Sequence, residues 1–179
     1  MLKKAAALLL AAFVLLCFML ACAAEGDPEL AAGYVTRGKA RVAFWYPADC
    51  SIVDEGSIGT YVYLTENDYV TLMIPKGKQS GTVAVHANIG DYGEITALSD
   101  SMNVFAVHGD QNHGMPGLDV VEIGIDLPDG TGLVVCATCP YGHTEVYDLL
   151  LTVLGSVTDT AALENWLRDV WIPAVTKQP

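Results

Sequence analysis

The sequence predicts an α+β domain, one antiparallel sheet of about five to seven strands with a helix packed on it. Three observations predict it. Apolar residues alternate with period two along much of the stretch from Tyr34 to Thr138. Gly, Pro, Asn and Asp punctuate these runs at turn positions. The period then lengthens after Thr144, where two apolar stripes follow helical spacing. The chain has 179 residues, 52% of them apolar, and a formal charge of −12. Such a length supports one hydrophobic core and excludes a disordered, collagenous or multi-span membrane chain.

The first 21 residues are set apart by composition. Lys3 and Lys4 precede an apolar run from Ala5 to Leu20, and small residues follow at Ala21 to Ala24, the order of a secretory signal peptide. Met19-Leu20-Ala21-Cys22 resembles a bacterial lipobox, in which the cysteine is lipidated and the chain is cut before it. Cys22 is therefore the expected lipid attachment point, with the bilayer as a partner through the anchor and an extracytoplasmic location on a bacterial cell membrane. Two other fates stay open: cleavage at the A-x-A site Ala21-Cys22-Ala23, or retention of the apolar run as an uncleaved anchor. Residues 22–33, small and acidic, read as a flexible tether, with the fold starting near Tyr34. Without its leader the chain keeps all 21 acidic groups against 7 basic ones. That balance opposes nucleic-acid binding, which needs clustered Lys and Arg.

Tyr34 to Arg37 and Ala40 to Tyr46 form a hairpin about Gly38-Lys39, with Val42, Phe44 and Tyr46 sharing one face. Thr60 to Leu64 and Tyr69 to Ile74 make a second pair across a polar tetrapeptide. Thr82 to Ala87 reads as a short strand, and Ile89 to Met102 as a loop with a helical turn. Val104 to His108, Asp119 to Asp126 and Thr131 to Thr138 complete the strands, the last two joined by Leu127-Pro128-Asp129-Gly130. Val146, Leu149, Leu150, Val153 and Leu154 then mark a helix behind Thr144 that Gly155 ends. A further helix over 158–179, capped by Asp159 or Thr160, carries Leu163, Trp166, Leu167, Val170 and Trp171 until Pro173 stops it.

The run Val42-Ala43-Phe44-Trp45-Tyr46-Pro47-Ala48-Asp49 resembles the opening of PsbP-like domains, an aromatic strand followed by Tyr-Pro-x-Asp/Glu. Thr131 to Val135, Tyr147 to Leu150 and Val153 to Val157 resemble the closing strand and helix of the same group. The resemblance covers 34–157. It implies a curved antiparallel sheet with helices on its faces, an α/β/α sandwich. It also implies a binding or assembly role in a small exported lipoprotein, and carries over no catalytic residue.

Chemistry has few footholds. Cys136-Ala137-Thr138-Cys139, with His143 four residues on, holds three residues of the types that ligate zinc, or a redox pair. Strand parity opposes both, since positions 136 and 139 point to opposite faces of a regular strand. Core cysteines, or one structural disulfide among Cys50, Cys136 and Cys139, is the plainer reading. The loop His108-Gly109-Asp110-Gln111-Asn112-His113-Gly114 lacks the spacing of a calcium loop, and reads as a polar turn or, with His86 or His143, a transition-metal loop. There is no G-x-S-x-G, Walker A, H-E-x-x-H or dinucleotide fingerprint. The expected function is thus a noncatalytic binding or assembly domain without a cofactor, its partner an envelope protein or small ligand. The alternative is a metal-dependent or thiol-redox enzyme at Cys136, Cys139 and His143, with zinc the metal those groups admit. Trp166 and Trp171, about 140° apart on an α-helix, flank the last stripe and are the expected partner-binding residues.

Overall fold

The computed structural model describes residues 28–77, 79–85, 94–109 and 115–176. The leader, Cys22, His86 and the 110–114 loop lie outside the described residues.

Strands β1 (Leu30–Arg37) and β2 (Ala40–Pro47) pair as an antiparallel hairpin around Gly38, whose φ of 62° suits a two-residue loop. Val35, Val42, Phe44 and Tyr46 turn inward as their alternation predicts. β1 begins four residues before the expected Tyr34. Gly33 admits Phe44, its partner across the hairpin: a Cβ on Gly33 would stand 2.5 Å from the Phe44 ring. Residues 30–33, expected to belong to a flexible tether, are therefore strand.

The remaining strands are β3 (Ser51–Asp54), β4 (Thr60–Tyr63), β5 (Tyr69–Met73), β6 (Thr96–Ser99), β7 (Met102–His108), β8 (Leu118–Asp126) and β9 (Gly132–Pro140). They form a seven-stranded sheet in the order β3-β4-β5-β9-β8-β7-β6, with every neighbouring pair antiparallel. β3 was not expected, because all four of its residues are exposed and the burial that produces a period-two signal is missing. β6 falls in the segment read as a loop.

Of the strand expected over Thr82 to Ala87, residues 82–85 are described and are not strand. Gly81–Ala84 forms a single helical turn, α1, whose Ser80 and Thr82 hydroxyls and Gly81 N–H converge on the Asp126 carboxylate at 2.5 to 2.7 Å. Backbone meets backbone here. A Cβ on Gly124 would come 2.1 Å from Gly81 O, and one on Gly81 would come 2.0 Å from Ile125 O.

Helix α2 (Glu145–Gly155) lays Val146, Leu149, Leu150, Val153 and Leu154 into one core with the hairpin and the sheet residues Val62, Leu72, Ile123 and Val135. The opposite face carries a smaller cluster of Val85, Phe105, Val107 and Val120. The C-terminal segment comprises α3 (Ala161–Trp166), a π-helical turn (Leu167–Trp171) and α4 (Ile172–Thr176). Pro173 does not stop it. Ile172 N–H donates to Leu167 O, five residues back, and the widened turn accommodates the ring that would clash inside a regular helix. The same turn lets Leu163, Leu167, Trp171 and Val175, four residues apart, share the buried side, while Val170 is 55% exposed. The fold is thus mixed α+β, with an antiparallel seven-stranded sheet, a two-stranded hairpin and helices. No helix among the described residues is long and apolar enough to cross a membrane.

Candidate functional site

The three residues singled out for metal or redox chemistry do not meet. Cys139 lies on the core-facing side of β9 with Val135 and Ala137, fully buried, its Sγ 3.8 Å from the Tyr147 hydroxyl. Cys136 points through the other face, beside Phe105 and Val120, with its Sγ 3.8 Å from Thr138 Oγ1. Burial pushes both thiols up to about 12. The thiolate that zinc or a redox step requires is disfavoured in both places. Cys50, Cys136 and Cys139 are all free, so no disulfide joins them. His143 Nδ1 lies instead 3.0 Å from Asp68 Oδ1. Among the described residues no group of three or more His, Cys, Asp and Glu is placed to hold a metal.

The end of the sheet around His143 has a different use. Asp119, 1% exposed, lies 2.6 Å from His108 Nδ1 and accepts the Gly142 N–H at 3.2 Å. The Tyr141 ring stacks on His108 at 3.8 Å, and its hydroxyl donates to Gly109 O. Asp68, also buried, accepts the Thr65 hydroxyl at 2.5 Å besides facing His143. Both carboxylates are satisfied, as burial demands, and they pin β7, β8 and the β4–β5 turn to the turn before α2. The Asp119 contact leaves His108 Nε2 as the ring nitrogen available for proton transfer, but no hydroxyl or thiol among the described residues is hydrogen-bonded to it. Asp119 was legible as unusual: it shares the phase of Val121, Ile123 and Ile125, where a carboxylate needs a partner.

An aromatic cluster is built elsewhere. On the face away from α2, Tyr61 and Tyr63 of β4 and Tyr69 of β5 bring their rings together, with centroids 6.0, 6.1 and 5.4 Å apart. The alternation that buries Val62 and Val70 in the core turns these rings outward, where all three are half-buried. Burial, then the nearby Glu55 carboxylate, pushes the Tyr61 hydroxyl up, so it stays protonated as a hydrogen-bond donor. Beside Tyr63, an open recess of about 380 Å³ is lined by Asp49, Ser51, Leu64, Thr65 and Glu66. Alternation alone places these tyrosines on strands and assigns them no role, because aromatic alternation is the ordinary mark of a strand.

Trp171 is core, its Nε1 donating to the Tyr147 hydroxyl at 2.7 Å. Trp166, half-buried, stacks on it with centroids 6.1 Å apart and planes 9° apart. The 140° separation expected of a regular helix is removed by the π turn, in which residues five apart lie nearly above one another.

No family model matches the chain, and neither a curated protein nor a solved structure does.

Proposed function

We propose that the chain is a noncatalytic binding or assembly domain, displayed on the outer face of a bacterial cell membrane by a lipid on Cys22, with an envelope protein as its partner. The tyrosine cluster of β4 and β5 carries this reading. Tyrosine offers large, rigid contact area with a polar tip, which is why it is enriched at recognition surfaces. The PsbP-like assignment, with its curved α/β/α sandwich, belongs to the same proposal and is supported by the sequence runs that carry it. The thiol positions and their raised pKa values give the enzyme alternative no support.

The test has two arms. Cys22→Ser in the full chain should abolish labelling by a radioactive fatty acid and release the protein from membranes; sedimentation with membranes, uncut, would show an uncleaved helix instead. The mature domain should capture an envelope protein from detergent extract in a manner lost with Tyr61→Ser/Tyr63→Ser. Equal capture by that variant would remove the tyrosine face from the proposal.

A further inference from the structure

β3 ends the sheet, and apart from its four-residue length and the terminal Asp54 its free side carries no blunting device. Edge strands of soluble proteins are commonly blunted by Lys, Pro or a bulge, because unpaired N–H and C=O groups pair with any extended chain that approaches. Ser51-Ile52-Val53-Asp54 contains neither Lys nor Pro, and its register with Tyr63-Val62-Tyr61-Thr60 is unbroken. All four residues are exposed, and among the described residues the side facing away from β4 makes no backbone hydrogen bond. The edge is apolar too: Val53 is 44% exposed and Ile52 38%, and Ile58, between β3 and β4, is 60% exposed.

The chain segment that carries this edge is acidic. Between Val42 and Pro75 the sequence holds no Lys, Arg or His, but five carboxylates: Asp49, Asp54, Glu55, Glu66 and Asp68. Asp68 is occupied by His143 and Thr65, and Asp54 Oδ1 accepts the Gly56 N–H. Asp49, Glu55 and Glu66 make no side-chain hydrogen bond or ion pair among the described residues. Val53 and Ser51 lie opposite Tyr61 and Tyr63, so a strand added to β3 would lie one strand away from the tyrosine face and from the recess that Asp49 and Glu66 line, a span that a long side chain crosses.

We propose that β3 is a strand-addition site for an extended, basic polypeptide segment, whose main chain pairs with the free edge and whose Lys or Arg side chains reach Asp49, Glu55, Glu66 and the tyrosine rings. This rests on the binding-domain reading and names its partner's chemistry. Charge selects the occupant. A second copy of this chain would bring the same carboxylates against themselves, and an acidic segment would meet the same repulsion, whereas a basic segment is attracted and oriented.

The probe is an eight-residue peptide of alternating Val and Lys with blocked termini, set against its Val and Glu counterpart. Titration into the mature domain at low salt, followed by amide hydrogen exchange, should show saturable binding of the Lys peptide alone, weakening as salt rises, with new protection in residues 51–54. Asp49→Asn/Glu55→Gln/Glu66→Gln should weaken it more than tenfold. Asp100→Asn/Asp148→Asn/Glu164→Gln, which removes as much charge elsewhere, should leave it within twofold. Equal weakening by the two triple variants, protection at β6 instead of β3, or no binding would overturn the strand-addition site. If it fails while tyrosine-dependent capture from envelope extract persists, the binding-domain reading stands without it; loss of both sinks the parent reading as well.

Discussion

The Trp171 indole donates to the Tyr147 hydroxyl at 2.7 Å, so α2 and the π turn are joined by a hydrogen bond inside the core. Burial pushes the Tyr147 hydroxyl well above its ordinary range, and it remains a neutral acceptor at any working pH. Tyr147→Phe leaves the indole N–H buried and unsatisfied. It should cost about 1–3 kcal/mol in urea unfolding. Adding Trp171→Phe to it should cost less than the sum of the two single changes; full additivity would mean the bond contributes nothing.

The glycine contact under α1 should be intolerant of a single methyl. Gly124→Ala sets a Cβ against Gly81 O and should destabilise by about 1–3 kcal/mol, with faster hydrogen exchange in residues 81–85. Gly155→Ala provides the opposite sign. Its Cβ meets nothing nearer than Thr160 Oγ1 at 3.8 Å, so it should be neutral or stabilise by about 0.4–1 kcal/mol.

Asp126 makes stability depend on pH. Burial raises its pKa, but hydrogen bonds from Ser80, Thr82 and the Gly81 N–H outweigh that and hold the carboxyl below its ordinary value. A pKa depressed in the folded state stabilises fully above the unfolded value of about 4, and that contribution is lost as pH falls through the folded one. The stability gap between the native protein and Asp126→Asn should therefore be constant from pH 7 to 5 and shrink below pH 4. A gap that widens on acidification would contradict this sign.

What could be read from the sequence follows burial closely. β2, β8, β9 and α2 are half or wholly buried, and their apolar spacing gave their position to within a few residues. β3 is exposed throughout and α1 is held by glycine and by Asp126, forty-odd residues away, so neither leaves a local pattern. Pro173 misled for a related reason: the π turn that admits it is favoured by the packing of Leu167 and Trp171, not by local propensity. At the sites, strand parity correctly separated Cys136 from Cys139. The His108–Asp119 contact depends on register between β7 and β8, which a single sequence does not encode visibly.

The raised thiol pKa values predict inertness. At pH 8, Cys136 and Cys139 should react with iodoacetamide at least tenfold more slowly in the native domain than in urea, where the ordinary thiol pKa returns. Rapid native labelling of Cys139 would reopen the redox alternative.

The strand order has a consequence for how the domain comes apart. β3-β4-β5 and β6-β7-β8-β9 are each meanders of sequence neighbours, and the sheet joins them only where β5 lies against β9, pairing Thr71 with Cys136. The first meander has strands of four, four and five residues; β7, β8 and β9 have seven, nine and nine. The smaller meander should therefore detach as one cooperative unit in sub-global openings, while β8 exchanges its amides only when the whole chain unfolds. Native-state hydrogen exchange under rising denaturant should give β4 a lower opening free energy than β8. An edge that recruits a partner strand would then belong to the least stable part of the sheet, and its occupation would raise the protection of all three strands together.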